Sequence, residues 1–196
     1  MSGRKIPREH ENPIDNLLID ISQDVGKALR PYPVFTPNFF TTISLIVALC
    51  SVYFIYKKSY RLASILLFVA YFFDCLDGNF ARTYNMETDF GDKYDHFSDL
   101  FKIIAVLYFV LISKLKFTTK VYFTILYFIT LLFSVIQIGC QEVAYGGHYS
   151  GSLSVFKYLC FSDNQIMWSR YLGCGTGQAI VCIMLYNLAW FNKNVR

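Results

Sequence analysis

Four aspartates at helical spacing, set between apolar runs, constrain this chain more than any other feature. The stretch 71–99 reads YFFDCLDGNFARTYNMETDFGDKYDHFSD. Asp74 and Asp77 are three apart and are followed by Gly78, Ala81 and Arg82; Gly91, Asp95 and Asp99 then recur at intervals of four. Residues three, four and seven apart share one face of a helix. Asp74, Asp77, Gly78 and Ala81 therefore form one stripe, and Gly91, Asp95 and Asp99 another. The polar linker 83–90 lets the chain turn back, so two helices meeting there aim four carboxylates at one point.

Both stripes are attached to apolar runs, 62–73 before the first pair and 100–113 after the second. Ionisable residues at the end of a membrane span are costly and mark a functional site by default. Four carboxylates repel unless a cation intervenes, and oxygen ligands suit Mg²⁺ or Mn²⁺. Gly78, Ala81 and Gly91 put no bulk on the same faces, which leaves room for a flat or phosphate-bearing ligand. Helix capping would account for one or two of these aspartates, not for four on two converging faces.

The pattern D-x-x-D-G-x-x-A-R, eight residues, then G-x-x-x-D-x-x-x-D resembles the signature of the CDP-alcohol phosphotransferase family, also called the CDP-alcohol phosphatidyltransferases. Its eight positions match at Asp74, Asp77, Gly78, Ala81, Arg82, Gly91, Asp95 and Asp99. The resemblance implies Asp74, Asp77, Asp95 and Asp99 as ligands of Mg²⁺ or Mn²⁺, in a site for two metals. Two metals about 3.5–4 Å apart can clamp both oxygens of an in-line displacement. It further implies Asp99 as general base, and Gly78, Ala81, Arg82 and Gly91 beside the nucleotide and diphosphate. The family's Pro-Asn-x-x-Thr entry is matched by Pro37, Asn38 and Thr41, which adds Asn38 and Thr41 to the nucleotide side; a capped helix start explains Asn38 equally simply.

The rest of the chain reads as an all-α, polytopic transmembrane bundle. Hydrophobic residues make up 55% of 196, too many for an ordinary soluble domain. Clear spans fall at 39–56, 62–80, 94–113, 121–138 and 171–191; eighteen residues reach about 27 Å, enough to cross with flanking help. The family pattern normally has six spans; either 142–161 contributes a weak sixth or this chain lacks the last. The intervening 139–168 otherwise reads as a long loop or a partly re-entrant segment. Residues 1–37 are a polar segment without a signal-peptide core. Within it, Ile14, Leu17, Leu18, Ile21, Val25, Ala28 and Leu29 make the apolar face of an amphipathic helix, with Asp15, Asp20, Asp24 and Lys27 opposite. That helix lies on the membrane surface or packs on the chain's own bundle. The membrane domain proper is 38–196.

Charge and cysteine usage exclude other classes. The net charge is +4, and Lys and Arg are scattered without a basic stripe, so no nucleic-acid partner is expected. Six cysteines include no C-x-x-C pair and sit mostly in apolar runs, which points to packing rather than to zinc or a disulfide framework. Positive-inside counting slightly favours a cytosolic N-terminus and carboxylate loop. An integral membrane protein with a cytosol-facing site follows, its membrane unspecified.

The resemblance implies a CDP-linked lipid donor, commonly CDP-diacylglycerol, an alcohol acceptor, release of CMP and a homodimer. A short chain with Arg82-Thr-Tyr-Asn85 and Trp168-Ser-Arg170 resembles phosphatidylinositol synthases, so inositol is the expected acceptor. Lys102, three residues after Asp99, and Arg170, at a span entrance, are the candidate acceptor-binding residues; Lys102 can instead pair with Asp99, and Arg170 serves as well by snorkelling to headgroups. The Asp95-His96 pair instead resembles choline and ethanolamine phosphotransferases, in which a phospho-aminoalcohol moves to diacylglycerol and His96 helps take the proton. A divalent-cation transporter, the reading from another class, wants carboxylates near mid-membrane rather than at span ends.

Overall fold

The long helices begin where the sequence supplies a cap. In the structure, a computed structural model that describes residues 3–145, 153–162 and 164–194, the Asn12 side chain accepts from the Ile14 amide and Pro13 opens α1 (Pro13–Leu29). Thr36 caps α2 (Pro37–Tyr56) through the Phe39 amide, again with proline in the first turn. α3 (Tyr60–Tyr84) stops at Asn85, a left-handed residue at φ 54°, where the Met86 amide returns to the Ala81 carbonyl at 2.8 Å. Thr88 then caps α4 (Asp89–Ile112) through the Gly91 amide. The turn between the aspartate stripes is thus only 85–88, tighter than the 83–90 expected from polarity.

α5 (Phe117–Tyr145) returns towards the carboxylate end. It is followed by a 3-10 turn (Ser154–Leu159), the short α6 (Gln165–Ser169), a second 3-10 turn (Arg170–Leu172), α7 (Cys174–Tyr186) and α8 (Leu188–Asn194). The described residues contain no strand. α2 and α3 approach closely because small residues face each other there. Ser44 donates to the Ala70 carbonyl at 2.9 Å and Ser51 to the Ala63 carbonyl at 2.7 Å. Ser64 ties α3 to α7 through the Cys182 carbonyl in the same way. Val52, Ile55, Leu67, Val106, Val110, Phe123 and Leu185 fill the centre. A separate cluster of Phe40, Leu76 and Phe80 sits at the carboxylate end. Large apolar residues such as Ile46, Ile65, Ile104, Ile125, Leu132 and Ile183 point outward, as lipid-facing residues do.

The span count is smaller than the five expected. Three helices, α2, α3 and α5, are long and apolar enough to cross a membrane; a fourth span results if Gln165–Tyr186 and Leu188–Asn194, bent by 56°, are taken together. α4 has the length but carries Asp95, Asp99 and Lys102 within its apolar part, so composition excludes it from that count. No sixth span forms among the described residues of 142–161: α5 ends at Tyr145 and the chain resumes as a six-residue 3-10 turn. Gly146, Gly147, His148 and Asp163, part of the expected long loop, lie outside the described residues.

Two further expectations change. Asp15 is buried at 8% exposure, not on the solvated face of α1, because α1 rests on α3 and α7 through Asp15, Leu18, Ile19 and Ser22. Leu17 and Ile21 are left exposed on the outer side, which gives a helix held by the bundle with an apolar stripe facing away from it. Cys140 and Cys160 form a disulfide across 20 residues, where the absence of close cysteine pairs predicted none. It joins the end of α5 to the 3-10 turn that packs on it.

The polar N-terminal segment crosses this same end of the bundle. Lys5 pairs with Glu142 at 2.7 Å, Arg4 and Arg8 with Asp20, and the Gly3 carbonyl accepts from Arg82 at 2.9 Å. One strap thus touches the C-terminal ends of α3 and α5 and the flank of α1.

Candidate active site

The tight turn at 85–88 sets the two aspartate stripes against each other. Carboxylate oxygens of Asp74, Asp95 and Asp99 lie within 4.8 Å of one another. Asp77 stands outside that triad. Its Oδ2 accepts the Thr41 hydroxyl at 2.6 Å, which binds the start of α2 to the middle of the site. Asp77 is 4% exposed.

A cleft of about 180 Å³ opens on one side of the aspartates, between the starts of α2 and α4 and the end of α3. Asn38, Thr41, Gly78, Ala81, Arg82 and Gly91 all line it, together with Asp77 and Asp95. The two glycines keep it open at different walls. A Cβ on Gly78 would meet the Arg82 guanidinium at 3.1 Å, and one on Gly91 would meet Asn38 Oδ1 at 3.0 Å. Arg82 is folded back over Gly78, with Nε donating to the Gly3 carbonyl at 2.9 Å. Arg82 also lines the cleft, and a guanidinium there suits an anionic ligand.

A second cavity of about 210 Å³ lies on the far side, enclosed by α3, α4, α5 and α7. Asp74, Asp99 and Lys102 form its polar edge; Leu67, Ile103, Val106, Leu131 and Val135 form much of its wall. The carboxylates therefore stand between a polar cleft and a largely apolar cavity.

The donor set fits a hard divalent cation. Asp95 Oδ1 is buried with no hydrogen-bond partner, and a buried carboxylate oxygen left unpaired is costly unless a cation or donor completes it. Three carboxylates within one coordination distance offer only oxygen, which favours Mg²⁺ or Mn²⁺ over thiophilic metals.

Residues 34–191 match the family model described as CDP-alcohol phosphatidyltransferase. The chain belongs to that family. Among curated proteins it is similar to the archaetidylinositol phosphate synthase of Pyrococcus horikoshii, with 32% identity over 91 residues, 46% of this chain and 48% of that protein. The matched stretch thus spans about half the length of the curated relative. No solved structure matches the chain.

As a member of the CDP-alcohol phosphatidyltransferases, the chain holds its other candidate residues as follows. Lys102 Nζ contacts Asp74, Asp99 at 2.7 Å and Ser44 Oγ at 3.1 Å, so it is part of the carboxylate cluster itself. His96 turns Nδ1 to the Asp92 carbonyl at 2.7 Å and leaves Nε2 buried without a partner. Arg170 lines neither cavity. It stacks on Tyr171 at 4.5 Å and bonds the Glu9 carbonyl, which makes it a tie between the strap and the bundle.

Sequence reasoning passed over Tyr71 and Gln178, which line the second cavity, and Ser44, which receives Lys102. All three are polar side chains inside largely apolar helices, the signal by which they could be found.

Proposed function

We propose that the protein transfers a phosphatidyl group from CDP-diacylglycerol to a small polar alcohol, releasing CMP, in phospholipid synthesis. The observation that carries this reading is the carboxylate cluster standing between the polar cleft and the apolar cavity. The cleft suits the cytidine and diphosphate: Gly78, Ala81 and Gly91 let a flat ligand approach, and Arg82 offers its guanidinium to phosphate oxygens. Asp74, Asp95 and Asp99, with Asp77 beside them, would hold a divalent cation, which would supply neutralisation of the donor's diphosphate. Asp99 faces the acceptor and takes its hydroxyl proton. The acceptor oxygen bonds to the lipid-side phosphorus, the bond from that phosphorus to the oxygen of CMP breaks, and CMP leaves.

Inositol, or an inositol carrying a phosphate, is the acceptor best supported. The curated relative's name contains archaetidylinositol phosphate, and Lys102 gives the site edge a cation that suits an anionic acceptor. A second reading, transfer of a phospho-aminoalcohol to diacylglycerol, draws on the apolar wall of the cavity beside Asp99 and on the Asp95-His96 pair. The carboxylate end faces the cytosol in either case, where CDP-activated substrates arise. Lys and Arg of the strap, Arg4, Lys5 and Arg8, lie at that end.

The test is CMP release by purified protein from CDP-diacylglycerol against inositol, inositol phosphate, glycerol phosphate and serine, and from CDP-choline against diacylglycerol. CMP release only with the inositol acceptors supports the first reading. Release only from CDP-choline establishes the second. Cation flux into vesicles without any CMP release would replace both with a transporter.

A further inference from the structure

Lys102 is seated in a socket that uses its three ammonium hydrogens. It contacts the Asp74 carboxylate, lies 2.7 Å from Asp99 Oδ1 and reaches Ser44 Oγ at 3.1 Å. The Ser44 hydroxyl donates its own proton to the Ala70 carbonyl at 2.9 Å, so its oxygen is oriented to accept from Lys102. Lys102 and Asp74 are 12% and 16% exposed. Removing one member of a buried ion pair leaves an uncompensated charge, so such a lysine resists displacement. Asp95, by contrast, keeps a buried oxygen without a hydrogen-bond partner, and the residue lines the polar cleft.

The two halves of the cluster thus differ. One half already holds a positive charge bonded to Asp74 and Asp99; the other lacks one at Asp95. Two divalent ions within this set would have to expel Lys102 or sit against its charge. Lysine is a compact point charge on a flexible stem and can stand where an ion would. We infer that the site of this chain takes one divalent cation, completed on the Asp95 side, and that Lys102 occupies the place of a second. This rests on the divalent-cation reading of the site given above.

The test counts bound metal rather than activity. Full-length protein in nanodiscs is titrated with Mn²⁺, with and without CDP-diacylglycerol. Bound metal is measured by equilibrium dialysis and elemental analysis, and its environment by electron paramagnetic resonance. The expected wild-type result is one Mn²⁺ per chain with the signal of an isolated ion, with and without the CDP-lipid. Lys102→Met removes the charge and is expected to raise the count to two, with spin coupling between the ions; Lys102→Arg is expected to stay at one. Two coupled ions in the wild type would overturn the inference and leave the divalent-cation reading standing, whatever the variants do. One ion in a folded Lys102→Met protein would overturn the part assigned to Lys102. No bound Mn²⁺ in any state would overturn the divalent-cation reading and the inference with it.

Discussion

Tyr71 donates its phenolic hydrogen to Asp15 Oδ1 at 2.6 Å, across the contact between α3 and α1. The other oxygen of Asp15 receives the Gly175 amide at 3.2 Å, at the start of α7. One carboxylate on the surface helix therefore fastens two walls of the second cavity. Of the two expected settings for this helix, membrane surface or bundle, the bundle holds it, and a polar contact anchors it.

That anchor gives a pH dependence. Burial pushes the Asp15 carboxyl from an ordinary value near 3.8 up to about 7, against the lowering effect of the Tyr71 and Gly175 hydrogen bonds. Because the folded value lies above the unfolded one, the folded state holds the proton more tightly. This contribution to stability is fully present below about 3.8 and is lost as pH rises through about 7. Thermal unfolding of wild type and Asp15→Asn in the same nanodiscs should show the wild type losing stability relative to the variant from pH 5 to pH 8. A constant difference between the two across that range would mean that Asp15 titrates normally.

Gly78 offers a test of the cleft. A leucine side chain there starts 3.1 Å from the Arg82 guanidinium and extends into the space assigned to the nucleotide. Gly78→Leu should lower affinity for a CDP-lipid at least tenfold, a change of about 1.4 kcal/mol, with little change in thermal stability, because the flexible Arg82 can give way. Gly78→Ala should have a smaller effect. Unchanged CDP-lipid affinity in Gly78→Leu would place the nucleotide elsewhere.

The residues legible in the sequence are those whose spacing matches a helix period. Asp74, Gly78 and Ala81 are read from their intervals, and helix geometry brings them to one cleft edge or cluster without further information. Asn38 and Thr41, placed by the resemblance of a proline-led helix start, line the same cleft. What could not be read depends on contacts between distant segments. The Asp15–Tyr71 bond spans 56 residues, the Gly3–Arg82 bond 79 and the Lys5–Glu142 pair 137. An aspartate on an amphipathic helix looks solvated from its neighbours in sequence, and only the packing of α1 on α3 and α7 reveals the burial. The span count was too high for a different, local reason: the apolar run of α4 reads as a crossing segment, although Asp95, Asp99 and Lys102 within it lower its apolar composition.

Cys140 and Cys160 test the orientation. α5 ends on the same side as α3, since the N-terminal strap reaches both Glu142 and Arg82. The disulfide therefore lies at the carboxylate end. Disulfides persist in oxidising compartments and are rare in the cytosol. With the site facing the cytosol, where the pair is kept reduced, alkylation of intact cells before lysis should recover both cysteines as thiols. Recovery of the intact disulfide from cells would turn the bundle over and place the site on the oxidising side.

Asp95 and Asp99 lie one turn apart on α4, about 6 Å along its axis, yet their surroundings differ. Asp95 lines the polar cleft and carries the unpartnered oxygen; Asp99 lines the apolar cavity and is paired to Lys102. In the proposed reaction Asp99 is therefore the carboxylate assigned to an acceptor entering from the cavity. Asp99→Asn should keep much of the metal and CDP-lipid affinity, since an amide still offers one oxygen, but it accepts no proton at neutral pH. Its turnover should fall by 10²–10⁴-fold, the range typical of a lost general base. Asp95→Asn should lose metal affinity as well as rate. His96 is the competitor: its buried Nε2 has no partner, and its Nδ1 is held by the Asp92 carbonyl. Measuring CMP release by Asp99→Asn and His96→Ala at saturating metal and donor separates the two. Near-normal turnover in Asp99→Asn with a collapse in His96→Ala would assign the proton to His96 and favour the aminoalcohol type of transfer. A collapse in Asp99→Asn alone would leave His96 with its bond to α4 and Asp99 with the chemistry.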